Sequence, residues 1–199
     1  MQNVDIEFDY EFYGAIAIDI IVDNRQYKFT PTYMGKHPIN ALITALWKLK
    51  KFSQIEFVNE KGKTYHNDSC EERLIWQDEP NGHALELTKQ DNELHMVVNS
   101  FSDIGSYDGI EMMLDLELFL EFVTDFDDFT EKVCREAIRV VRKYGFAGYL
   151  DSWNNSFHKV EDFPISQIMF LIGNTESCND NDLYFSDFDH EIKLLTLNK

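Results

Sequence analysis

The stretch "DNDLYFSDFDHE" gathers Asp180, Asp182, Asp187, Asp189 and Glu191 within twelve residues and sets Tyr184, Phe185 and Phe188 among them. Carboxylates at that density offer hard oxygen ligands, so one reading is a metal-dependent or carboxylate-based hydrolase. The stretch lacks the central Gly and closing Glu of a calcium loop, however, and Asp-rich segments are commonly solvated turns. The other reading is recognition, in which aromatic anchors supply contact energy and a field of one sign selects and steers the partner.

Other chemistry finds little support in residue spacing. The six histidines are His37, His66, His83, His95, His158 and His190. None has the paired spacing of a zinc motif, and "DHEIK" has the His-Glu without the second His. Cys70, Cys134 and Cys178 are odd in number and far apart, which fits reduced thiols rather than a disulfide framework. Cys134 falls beside an apolar helical stripe, where a thiol serves as inert filler. No nucleophile elbow, glycine-rich phosphate loop or dinucleotide fingerprint is present. The expectation is a protein without catalysis, cofactor or metal.

Charge is more informative. The net charge is −18, and 26 of the 36 acids lie in three blocks, 1–24, 90–131 and 160–192, that contain no Lys or Arg. Such a chain repels nucleic acid and anionic lipid, whose binding depends on basic side chains. A basic protein is the natural counterpart. The expected contact residues are Asp180, Asp182, Tyr184, Asp187, Phe188, Asp189 and Glu191, joined by Glu117 and Glu121 from a strand in the middle block. The opening segment has no basic or apolar leader pattern, and no stretch approaches the roughly 18 apolar residues of a membrane span. A cytoplasmic location is expected.

The elements that would position these residues follow from periodicity. "VDIEFDYEF" alternates Val4, Ile6, Phe8, Tyr10 and Phe12 against Asp5, Glu7, Asp9 and Glu11, predicting a half-buried strand. "AIAIDIIVD" and "QYKFTPTYM" follow as strands joined by the turn residues Asp23 and Asn24. Helical spacing over "HPINALITALWKLKKF" predicts the first helix, with Pro38 at its first position. Strands are expected at "SQIEFVN", "RLIWQDE", "HALELTK" and "ELHMVVNSF". A long one, "IEMMLDLELFLEF", is expected to turn Leu114, Leu116, Leu118, Leu120 and Phe122 inward and Glu117 and Glu121 outward. A second helix begins in "TDFDDFTEKV", capped by Thr124 or Asp125, and runs to Gly145 or Gly148. "PISQIMFLIG" offers a short third helix and "HEIKLLTL" a last strand.

The result is one α+β domain over residues 1–199, a mostly antiparallel meander sheet of about seven or eight strands with two main helices packed on one face. Acid rows on two strands would repel if placed opposite one another. Either basic strands such as "QYKFT" separate them, or the repulsion is left for a partner to relieve.

Two stretches, "YKFTPTYMGKHPINALITALWKL" and "REAIRVVRKYGFAGYLDSWNNSFHKVEDF", resemble segments of a group of bacterial proteins of unknown function. That group has a short meander, a P-x-x-x-L-I-x-A-L helix and a late helix ending in K-Y-G-x-x-G-Y before a Trp. The likeness spans about a quarter of the chain and includes no catalytic motif. In type, being small, acidic and free of catalytic motifs, the chain is similar to immunity proteins that neutralise toxins passed between competing bacteria. That likeness implies an inhibitor that covers a basic toxin surface, and it carries over no individual residue. A subunit or scaffold of a host complex would share the same charge argument.

Overall fold

The computed structural model describes residues 1–10, 16–31, 37–53, 56–58, 64–66, 69–78, 81–107, 110–154 and 164–172. The fold is α+β, and every strand pair is antiparallel. β1 (Val4–Tyr10), β2 (Ile16–Val22) and β3 (Arg25–Phe29) form one sheet in that order. Alternation in β1 works as its pattern demands, with Val4, Ile6 and Phe8 buried against exposed Asp5, Glu7 and Asp9. Asp23 and Asn24 both take positive φ, 48° and 67°, as a tight hairpin with right-handed twist requires.

α1 (Pro38–Ser53) buries Ile39, Leu42, Ile43, Leu46 and Leu49 along one stripe. The His37 carbonyl accepts the Ala41 amide at 2.9 Å and opens the helix, while Lys50 and Lys51 complement its C-terminal end. β4 (Glu56–Val58) and β5 (Thr64–His66) pair as a short ladder. The larger sheet has β6 (Ser69–Asp78), β7 (Asn81–Gln90) and β8 (Glu93–Phe101), followed at its edge by β11 (Glu117–Asp125), in the order β11-β8-β7-β6. β9 (Asp103–Tyr107) and β10 (Ile110–Leu114) form a separate hairpin before β11.

α2 (Phe126–Asn154) starts directly after β11 and buries Phe126, Phe129, Val133, Ala137, Val140 and Val141, the stripe read from its period. Gly145, at φ 72° and ψ 167°, interrupts it, so the first segment ends where glycine was expected to stop it. α3 (Ile165–Leu171) packs on α1 and α2. One hydrophobic cluster joins β1, β2, α1, the four-stranded sheet, α2 and α3.

Among the described residues the two larger sheets share one backbone rung, where the Gln2 amide donates to the Val123 carbonyl at 2.8 Å. Beyond that rung α2 covers the edge of β1 with side chains. Lys132 Nζ donates to the Val4 carbonyl at 2.7 Å, the Phe8 amide donates to Glu136 at 3.3 Å, and Arg139 donates to the Phe8 carbonyl. A helix thereby satisfies backbone groups that an exposed edge would offer to another chain.

This arrangement also answers the question of the acid rows. Neither a basic strand nor an external partner manages most of β1; cations of α2 do, with Lys132 on Asp5 at 3.1 Å and Lys143 on Asp9 at 2.8 Å. Glu7 lies opposite Asp19, and Lys28 of β3 lies beside Asp19, so here "QYKFT" does serve.

The strand expected over 110–122 is two strands. Asp115, at φ 53°, turns the chain after β10, and a bulge between Leu118 and Leu120 then shifts the phase of β11. Leu120 and Phe122 are buried as expected, but Leu114, Leu116 and Leu118 are exposed, which corrects their inward assignment. The described strands number eleven rather than seven or eight, because this run divides and the short β5 and β9 carry little alternation. The expected last strand at 190–197 lies outside the described residues.

Packing around Gly82 gives a direct test of this sheet. A Cβ added there would sit 2.4 Å from Phe101 Cζ and 2.6 Å from the Trp76 carbonyl oxygen. The backbone contact cannot be relieved by a rotamer change. Gly82→Ala is therefore expected to cost about 1–3 kcal/mol, measured as a lowered urea midpoint; an unchanged midpoint would contradict the packing.

Candidate partner-binding surface

Asp180, Asp182, Tyr184, Asp187, Phe188, Asp189 and Glu191 all lie outside the described residues, as does Cys178. Glu117 and Glu121 are on β11, but they are not the joint pair that a regular strand would make. The register sets Glu117 opposite Ser100 and Glu121 opposite Val97, positions of opposite parity on β8. The bulge thus sends the two carboxylates to different faces of the sheet. Glu121 is held by His95 Nε2 at 2.9 Å, and the Glu117 carbonyl accepts Ser100 Oγ at 3.3 Å.

Around them the turn after β10 is fixed by short-range polar bonds. The Ser102 amide donates to the Leu114 carbonyl at 3.1 Å, and Ser102 Oγ donates to Asp115 Oδ2 at 2.7 Å. Polar side chains at a turn satisfy backbone groups that would otherwise need water. Phe119, half in and half out, sets its ring edge-on to Phe29 at 5.4 Å, to His83 at 4.9 Å and to Tyr27 at 5.9 Å between centroids. Those rings continue inward through Phe29 to the buried Trp76.

The described cations are largely committed inside the molecule. Lys48 pairs with Glu72, Arg73 with Glu86, Lys132 with Asp5 and Asp128, Arg135 with Glu131, Arg139 with Glu136, and Lys143 with Asp9. Glu93, Asp103, Asp115, Glu117 and Asp125 form no ion pair among the described residues. Sequence reasoning found the acid blocks but could not see that helix cations would be spent on β1, because that pairing spans more than 120 residues.

A second acidic place is the open cleft of about 430 Å³ lined by Glu7, Phe8, Asp9, Asp19, Glu136 and Arg139. Hydrogen bonds from Lys143 and Tyr144 hold the Asp9 carboxyl down at about 2, which makes it a poor proton acceptor at neutral pH. Arg139 is occupied by Glu136 and the Phe8 carbonyl and is not poised for an anion.

Nucleophiles fare no better. Burial pushes the Cys134 thiol up to about 12 and raises that of Cys70, so neither offers a thiolate at neutral pH. Burial also lowers His37 to about 3 and lowers His83. Among the described residues no group of three or more His, Cys, Asp or Glu is arranged to hold a metal. No helix among them is long and apolar enough to cross a membrane. Comparison with protein-family models, with curated proteins and with solved structures finds no match to this chain.

Proposed function

We propose that this chain is a non-catalytic acidic binding protein, most concretely an immunity-type inhibitor that covers the basic surface of a toxin or another cationic protein. The observation that carries the reading is the segregation of charge. The block 90–131 holds twelve acids without a Lys or Arg, while Lys132, Arg135, Arg139 and Lys143 of α2 are paired with acids of α2 itself and of β1. A surface of one sign raises the encounter rate with an oppositely charged partner and rejects nucleic acid and anionic lipid.

The test is titration with polylysine and with a basic ribonuclease at about 10 mM and about 100 mM salt, across which the screening length falls from about 30 Å to about 10 Å. Binding at low salt that weakens about tenfold or more is expected. No binding at low salt, or an affinity indifferent to salt, would end this reading. Co-expression with the neighbouring gene, followed by identification of what co-purifies, then separates a toxin from a host protein.

A further inference from the structure

Large apolar side chains are exposed in one short run of the acidic block. Leu114, Leu116 and Leu118 are 42%, 50% and 61% exposed, and Phe119 is 38% exposed. Their sequence, "LDLELF", interleaves them with Asp115 and Glu117. Scattered single leucines on a surface mean little, but four large apolar residues exposed within six positions call for a reason.

The local backbone holds them out. Asp115 turns the chain in the left-handed region, which Gly, Asn and Asp enter most readily, and Ser102 secures the turn through both its amide and its hydroxyl. The bulge lets Leu120 and Phe122 enter the core while Leu118 stays outside; bulges commonly re-aim a side chain in this way. Phe119 is braced by the rings of Tyr27, Phe29 and His83 and stays partly exposed. Side chains ordered before binding lose less entropy when they bind.

We propose that the Leu114–Phe119 turn is a docking knob for a protein segment that carries apolar side chains flanked by Lys or Arg. The inference rests on the basic-partner reading above and adds that leucines anchor the contact, with charge as its rim. Asp115 and Glu117 lie within the knob itself and form no ion pair among the described residues, and the acidic block around them carries no Lys or Arg. That rim selects the occupant. A second copy docked by two-fold symmetry would bring Asp115 and Glu117 against their own equivalents, whereas a cationic segment meets complementary charge. Hot spots are apolar or aromatic anchors within a ring of polar groups, the composition found here.

The experiment compares two fluorescein-labelled peptides of equal charge at about 10 mM salt, a helical one of Leu and Lys and one with Ser in place of each Leu. Fluorescence anisotropy is measured with the full-length protein and with its L116S/L118S variant. The Leu-Lys peptide is expected to bind the wild type about tenfold or more tightly than the Ser-Lys peptide, and the variant is expected to lose that advantage while holding the Ser-Lys peptide equally well. Because both leucines are largely exposed, the variant should melt with the wild type. If the variant binds the Leu-Lys peptide as tightly as the wild type while Ser-Lys binding remains salt-dependent, the knob is overturned and the basic-partner reading survives. If neither peptide binds, both fall. A wild-type dimer that becomes a monomer in the variant by sedimentation would assign the patch to a second copy and also overturn the proposal.

Discussion

Acidification from pH 7 to pH 3 is expected to remove about 3–5 kcal/mol of stability through His37 alone. His37 is 1% exposed at the start of α1, and burial holds its ring neutral down to about 3. In the unfolded chain the ring titrates near 6.5. Between those values the unfolded state takes up a proton that the folded state refuses, so stability is complete above pH 6.5 and declines until about pH 3. Asp9 acts in the same direction over a lower window. Its folded carboxyl is held at about 2, so its contribution is present above the ordinary carboxylate value and disappears as pH falls toward 2. Half-exposed as it is, Asp9 contributes a modest share. Urea midpoints taken across pH separate the two: His37→Gln should flatten the slope between pH 6.5 and 4, and Asp9→Asn should alter only the region below 4. The slope is the readout, because His37→Gln changes the midpoint for packing reasons too. A His37→Gln profile parallel to that of the wild type would show that the ring is not the titrating group.

The acid-sensitive residues also connect elements. Tyr144 of α2 donates to Asp9 and stands edge-on to Tyr10 at 4.9 Å, and the Tyr10 hydroxyl lies 3.5 Å from His37 Nε2. Helix α2, strand β1 and the start of α1 are thereby tied by polar and ring contacts. Protonating His37 would place a charge at one end of that chain.

What could be read from the residues is clearest where one period runs unbroken. Val4, Ile6 and Phe8 of β1, the Ile39–Leu49 stripe of α1 and the Phe126–Val141 stripe of α2 all face the core, because a regular element keeps its phase and burial follows it. Phase was lost where the backbone breaks its own rule. Within "IEMMLDLELFLEF" the alternation runs on through Asp115, and the bonds that hold its left-handed turn come from Ser102, between β8 and β9. The bulge likewise leaves no trace in an alternation that continues through it, so Glu117 and Glu121 looked coplanar and are not. Thr124 and Asp125 are both able to cap α2, and tertiary contacts decide between them. Asp125 Oδ1 accepts the Asp128 amide at 2.9 Å, while Thr124 Oγ1 donates to the Gln2 carbonyl at the rung between the sheets. The net acidity is legible as a sum of charges; which acids stay uncommitted depends on which cations α2 brings to β1, a matter of topology.

Phe129→Ala is expected to destabilise the protein by about 3–5 kcal/mol, the largest effect foreseen for a single truncation here. Phe129 belongs to "TDFDDFTEKV", whose acids and aromatics look alike in the sequence yet do separate work. Asp127 and Asp128 sit in the first turn of α2, where the positive end of the helix dipole favours them, and Asp128 also pairs with Lys132 at 2.9 Å. Phe126 and Phe129 turn the other way, both wholly buried, and Phe129 meets the Phe122 ring of β11 at 5.9 Å between centroids. Removing the ring forfeits its transfer free energy and leaves a void between α2 and β11. Collapse into that void is restricted, because α2 is fixed at its start by Asp125 and along its length by the bonds of Lys132, Glu136 and Arg139 to β1. For a chain of this size the loss corresponds to a fall in melting temperature of about 10 °C. Urea unfolding of Phe129→Ala beside Phe129→Leu checks the cause, since leucine keeps most of the volume and should cost far less. Equal losses in the two would point to the aromatic contact with Phe122 rather than to the void, and a loss below about 1 kcal/mol for alanine would mean that α2 does not seal this side of the core.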